Sequence, residues 1–173
     1  MIAFITGQVD KIFVAVVAQS EKERRGTAFE EIVISELKKM KCVIAERFRK
    51  GEGGGGLPDL YAYCGTKLTR IEAKETLAWH KEGEDVRPGR FVLSEEVIPK
   101  ECYAFGVDDQ IDGTLSIDFI KAADPDEYVR THGKRPKYPI SRLEEVRDGQ
   151  RCTLPITGTI IMPRERLLEL MRL

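Results

Sequence analysis

Apolar residues recur at three- and four-residue intervals between Thr27 and Lys41. Phe29, Ile32, Val33, Leu37 and Met40 lie along one stripe, the pattern of an amphipathic helix. Thr27 stands where an N-cap is expected, and Glu30 and Glu31 fall in the first turn, where the helix dipole favours anions. Upstream, Ile12-Phe13-Val14-Ala15-Val16-Val17-Ala18 reads as an N-terminal strand. The other reading, the centre of a signal peptide, is disfavoured because Asp10 and Lys11 directly precede the run and no cationic N-terminus does. Cys42 to Phe48 reads as a strand. The segment Gly51-Glu52-Gly53-Gly54-Gly55-Gly56 then has too many glycines to pack and reads as a flexible loop.

Leu57 to Lys74 carries a different period. Gly65-Thr66 fits a two-residue hairpin turn of type II′, with glycine at the first central position. That turn sets a register in which Cys64 faces Lys67, Leu60 faces Ile71 and Asp59 faces Glu72. Strand alternation then divides the hairpin. Leu60, Ala62, Ile71 and Ala73 share an apolar face, while Asp59, Tyr61, Arg70, Glu72 and Lys74 share the other. Two carboxylates placed opposite each other repel. Lys74 on the same face softens that repulsion, and a metal ion would remove it.

Glu101 to Val107 and Thr114 to Lys121 read as strands around the turn signal Asp109-Gln110-Ile111-Asp112-Gly113. Ser141 to Arg147 reads as a short helix, Thr157 to Met162 as a strand, and Pro163 to Leu173 as a helix with proline in its first turn. Trp79 to Arg90 is polar, holds two Gly and a Pro, and reads as an exposed loop.

Length and composition add bounds. The 173 residues, 42% of them hydrophobic, suffice for one domain with a core. No apolar stretch reaches the ~18 residues of a membrane span. Cys42, Cys64, Cys102 and Cys152 show neither a metal-knuckle nor a CxxC spacing, so reduced, mostly buried thiols in a cytoplasmic protein are expected. The net charge of −1 argues against nucleic acid if taken as an average. It is unevenly spread: Lys22 to Lys50 holds nine basic residues against five acids, and Arg130 to Lys137 four against none. Two solvated faces would give the same counts.

Pro58-Asp59, twelve intervening residues and Glu72-Ala73-Lys74 resemble the PD-(D/E)xK nuclease signature. Glu-x-Lys alone is weak, since Glu36-Leu37-Lys38 repeats it within the helix; the hairpin register, the Pro-Asp pair and the upstream helix and basic strand give it weight. The order of helix, strand, Gly-rich loop and acidic hairpin is similar to the archaeal-type Holliday junction resolvases. Arg25-Gly26 and Glu30 match at the helix and Arg47 at the strand, over residues 24 to about 76. The chain departs from that family at Glu31, where an Arg is usual. Residues 75–100 are broken by Gly and Pro where the family has a long helix, and the tail beyond about residue 120 is longer.

The resemblance implies an α/β fold with a restriction-endonuclease-like core, a central mixed β-sheet flanked by helices. One nuclease domain would span residues 1–173, with its core at about 22–121 and a C-terminal extension at about 122–173. It implies Mg²⁺ (Mn²⁺ substituting) on Asp59 and Glu72, with the Ala73 carbonyl and Glu30 as further ligands. Hard oxygen donors suit that ion. Glu30 lies about 100° from Phe29 on the helical wheel, inside the apolar arc. It is a ligand by resemblance and an edge residue by the bland reading, and Glu36 lies in the arc too. Lys74 would orient or deprotonate the attacking water or meet developing charge, with its pKa lowered by the metal. Arg25, Arg47, Arg49 and Lys50 are candidate phosphate contacts or a solvated basic face; Tyr61 and Tyr63 line a cleft or edge a core. The implied activity is resolution of four-way DNA junctions by paired cuts from a homodimer, whose two-fold symmetry matches the substrate. The alternatives are another PD-(D/E)xK nuclease of restriction or repair type and a DNA-binding module without activity.

Overall fold

The first element is longer than its apolar stripe predicts. In a computed structural model, helix α1 runs unbroken over Ala3–Lys39. Residues 12–18 are therefore helical rather than a strand, and Thr27 is an exposed mid-helix residue rather than a cap. A short apolar run carries no period that separates strand from helix. The link that follows it, Gln19 to Arg25, is dominated by helix-favouring residues and has no proline. Gly26 weakens the helix by about 1 kcal/mol relative to Ala without breaking it. α1 ends on Lys41 in the left-handed conformation (φ 63°), which lets the Cys42 N–H donate to the Leu37 carbonyl at 2.9 Å.

The structure describes residues 3–48, 58–78, 89–93, 100–121, 127–129, 131, 137–156 and 158–173, with side chains from residue 20 onward. The glycine loop at 51–56, residues 79–88 of the polar stretch, Arg49, Lys50, His80, Arg130, His132, Lys134 and Arg135 lie outside them. After α1 come β1 (Val43–Arg47), β2 (Leu60–Cys64), β3 (Lys67–Ala78), β4 (Arg90–Val92), β5 (Cys102–Asp109), β6 (Thr114–Lys121), β7 (Lys137–Pro139), α2 (Ile140–Val146), β8 (Ile160–Pro163) and α3 (Glu165–Met171). Pro163 closes β8 instead of opening the last helix.

Six strands form one sheet in the order β1-β2-β3-β5-β6-β8, and β4 pairs with β7 apart from it. Only β3 and β5 run parallel; the other pairs are antiparallel, so the sheet is mixed. The hairpin register is the one its turn dictates, Leu60 opposite Ile71 and Cys64 opposite Lys67, around Gly65 at φ 73°. On one face Leu60, Ala62, Ile71, Ala104, Ile117 and Phe119 pack against Phe29, Ile32, Val33 and Leu37 of α1 and Leu167 of α3. The other face carries Tyr103, Phe105, Val107 and Ile120 under Phe91, Tyr138, Leu143 and Val146, from the small sheet and α2. Phe105 stacks on Tyr103 and on Tyr138, with ring centroids 5.4 Å apart in each case. The fold is thus α/β, a central mixed sheet with helices on it, as a restriction-endonuclease-like core requires.

The cysteines correct a second expectation. Cys42 bonds to Cys64 and Cys102 to Cys152, so none is a reduced thiol. The pairing Val43↔Tyr63 sets Cys42 across from Cys64, a register hidden in the sequence by the glycine loop between β1 and β2. Cys152 is held against β6, the neighbour of β5, by its N–H, which donates to the Phe119 carbonyl at 3.0 Å. No helix among the described residues is long and apolar enough to cross a membrane.

Candidate functional site

Strand β2 begins at Leu60, directly after Pro58-Asp59, while β3 continues past the partner of Leu60 to Ala78. Beyond Ile71, β3 therefore has no β2 residue to pair with. Asp59 fills the first vacancy, its Oδ2 accepting a hydrogen bond from the Ala73 N–H at 2.8 Å. Pro58, which cannot donate to a ladder, is suited to the point where the strand starts. The side chain of Asp59 is thereby held at the place where the two strands separate.

Glu72 is 5% exposed and lies on the face of the sheet opposite α1, with Tyr103 beside it on β5. Its Oε1 accepts from the Lys74 ammonium. Its Oε2 is buried without a hydrogen bond, 3.4 Å from Nζ of Lys100. Burial, first, and the Glu72 carboxylate, second, push the Asp59 carboxyl up from 3.8 to about 7, against the opposing pull of Lys74. Asp59, Glu72 and Lys74 thus act on one another as the hairpin register requires.

Glu30 stands on α1 and is held by Arg47, whose Nη2 donates to its Oε2 at 3.1 Å; the same guanidinium pairs with Glu31. Burial raises the Glu30 carboxyl, Arg47 opposes that rise, and Glu72 adds to it. Glu30 is therefore within electrostatic reach of Glu72, with its charge already met by Arg47. Arg25 points elsewhere: its guanidinium bonds Glu75 and reaches Oδ2 of Asp108 at 3.0 Å. Arg164 closes that network on Asp108 at 2.8 and 3.1 Å. Arg25 and Arg47, two of the four candidates for phosphate contact, thus hold carboxylates, and Arg49 and Lys50 lie outside the described residues. Tyr61 is half-buried against Phe48 with ring centroids 5.5 Å apart, and Tyr63 is exposed.

Among the described residues no three His, Cys, Asp or Glu side chains gather as a metal cluster. Of the expected donors, Asp59 and Glu72 lie together, one with an elevated affinity for protons and the other with a buried oxygen that no hydrogen bond satisfies. Two carboxylates with water are a common complement for Mg²⁺, so the pair fits that ion without Glu30.

Two groups were not legible in the sequence. Lys100 is 3% exposed yet places its ammonium toward Glu72, and nothing in Pro99-Lys100-Glu101 marks it as buried. The Glu75–Asp108 pair had a partial signal: alternation puts Glu75 on the apolar face of β3, and Asp108 ends an apolar run. Comparison of the chain with family models, with curated proteins and with solved structures returns no match.

Proposed function

We propose that the chain is a Mg²⁺-dependent, structure-selective DNA endonuclease that resolves four-way junctions by paired phosphodiester cleavage. The observation that carries this reading is the convergence of Asp59, Glu72 and Lys74 where β2 starts and β3 runs on, with the Asp59 carboxyl raised to about 7 by burial and its acidic neighbour. Two carboxylates under such mutual repulsion stand ready to give up a proton in exchange for a divalent cation. Bound there, Mg²⁺ would supply charge stabilisation to a phosphoryl oxygen and acidify a water.

The residues of the chain account for the rest. The Ala73 N–H orients Asp59, and Lys74, paired with Glu72, is the cation adjacent to the carboxylates. It serves to position the attacking water or to meet charge building on the phosphate. Glu30, neutralised by Arg47, takes a supporting role through the field it adds to Glu72 and Asp59. With Arg25 and Arg47 engaged by carboxylates, strong nonspecific affinity for DNA is not expected, and shape rather than charge would govern recognition. A two-fold homodimer supplies the paired cuts. A cytoplasmic location is compatible with two disulfides only in an oxidising or hyperthermophilic cell; in other cytosols the thiols are held reduced.

The test is cleavage of a four-way junction, a linear duplex and a single strand of matched sequence, with Mg²⁺, Mn²⁺ or EDTA. Metal-dependent paired cuts in the junction support the proposal. Preferential cutting of the linear duplex replaces it with a restriction or repair nuclease of the same chemistry, and junction binding without cutting replaces it with a binding module.

A further inference from the structure

Glu72 faces a second cation, and it comes from outside the hairpin. Lys100 lies two residues before β5, with a side chain that is 0% exposed. Its partners include Glu72, whose Oε2 is 3.4 Å from its Nζ. The next residue fixes that approach. The Glu101 N–H donates to the Arg70 carbonyl at 3.1 Å. The Glu101 carboxylate accepts from the Arg70 N–H at 2.6 Å and from its guanidinium at 2.8 and 3.1 Å. Glu101 is thus clamped to β3 two positions before Glu72, just ahead of the parallel pairing that begins at Ile71↔Cys102. A lysine is costly to bury unless its charge is met, and this clamp holds the buried one beside a carboxylate.

Glu72 therefore meets an ammonium at each oxygen, Lys74 at Oε1 and Lys100 at Oε2. The two differ in freedom. Lys74 keeps 28% of its side chain exposed, whereas Lys100 keeps none. Asp59 is held instead by the neutral Ala73 N–H. We infer that Lys100 is a positioning residue for the carboxylate pair: it retains Oε2 of Glu72 and restrains, through its charge, the affinity of Asp59 and Glu72 for a divalent cation. This rests on the reading of those two residues as a cation site. A cation entering there meets the repulsion of a buried ammonium, which water and salt screen little. Resting affinity is therefore low, which suits an ion that takes its remaining ligands from substrate phosphates. Lys74 is left to serve the reacting groups.

Mn²⁺ binding to the full chain, followed by electron paramagnetic resonance, tests this, counting only the binding that D59N removes. K100M and K100Q take the charge away and are expected to bind Mn²⁺ about tenfold tighter than wild type, or more. K100R keeps the charge and should stay near wild type. A lysine that only supports the fold gives the opposite sign, because a loosened Glu72 weakens the pair. Urea midpoints report whether each variant folds. Where neither neutral variant does, ¹³Cε spectra of labelled lysine in the wild type, assigned with K100R, ask the same question. Mg²⁺ should shift the Lys100 signal in wild type and leave it unmoved in D59N. Wild-type binding with equal or weaker affinity in the neutral variants, or a Lys100 signal that Mg²⁺ does not move, overturns this inference alone. No Asp59-dependent binding in any chain overturns it together with the cation site.

Discussion

The Oδ2 atom of Asp59 accepts a hydrogen bond from the backbone N–H of Ala73 at 2.8 Å. One side chain thus occupies the ladder position that β2 leaves empty, and it fixes a carboxylate from the residue just before β2 beside Glu72 of β3. Preorganisation of this kind keeps the Glu72 charge close enough to raise the Asp59 carboxyl.

The first consequence concerns pH. With the folded Asp59 carboxyl near 7 and its ordinary value at 3.8, the native state keeps a proton that the unfolded chain releases. This contribution to stability is therefore lost as pH rises from about 4 to about 7 and is level above that. D59N keeps an acceptor for Ala73 and removes the titration. At pH 8 it should be more stable than wild type by about 1–3 kcal/mol, and at pH 4 nearly equal, in urea melts.

E72Q should have the opposite sign. It takes the carboxylate charge away from the buried Lys100 ammonium and from Lys74, so a loss of about 2–4 kcal/mol is expected at pH 8. Denaturant midpoints of the two isosteric variants, measured side by side, check the contrast.

Cation binding should follow the same proton. Mg²⁺ at about ten times its Kd adds about 1.4 kcal/mol, a rise of about 3–6 °C in Tm for a chain of this size. The rise is expected at pH 8, should shrink at pH 5.5 where Asp59 is protonated, and should vanish in D59N. Thermal scans with Mg²⁺, and with Na⁺ at equal ionic strength, separate binding from screening.

The hairpin half of this site was legible in the sequence, and the surroundings were not. Gly65-Thr66 dictates a register by turn geometry alone, so Asp59, Glu72 and Lys74 followed from counting. Glu30 and the arginines depend on how α1 lies on the sheet, which no local rule supplies. Arg25 and Arg47 read as free cations because their carboxylate partners come from distant segments, Asp108 being 83 residues from Arg25. The N-terminal run misled for a simpler reason: seven apolar residues, several β-branched, have strand propensity, and the helical context continuing to Lys39 overrides it.

Gly106 of β5 sits against the Phe29 ring, where an added Cβ would lie 2.3 Å from Cε2. G106A should cost about 1–3 kcal/mol through overpacking, and F29L in the same chain should recover part of it. Denaturation of the single and double variants measures the coupling between α1 and the sheet.

The two disulfides close loops of 22 and 50 residues. Chain entropy makes them worth about 3 and about 4 kcal/mol, so reduction should lower the denaturant midpoint markedly. Peptide mapping without reductant should recover Cys42 with Cys64 and Cys102 with Cys152.

The most direct measurement of the central claim is cleavage of a four-way junction by wild type and D59N, with junction binding followed in parallel. The account predicts paired cuts by wild type that require Mg²⁺ or Mn²⁺, a loss on the order of 10³-fold or more in D59N, and binding retained by the variant. A wild-type chain that cuts no branched DNA with either metal, or a D59N variant that cuts as well as wild type, would contradict it.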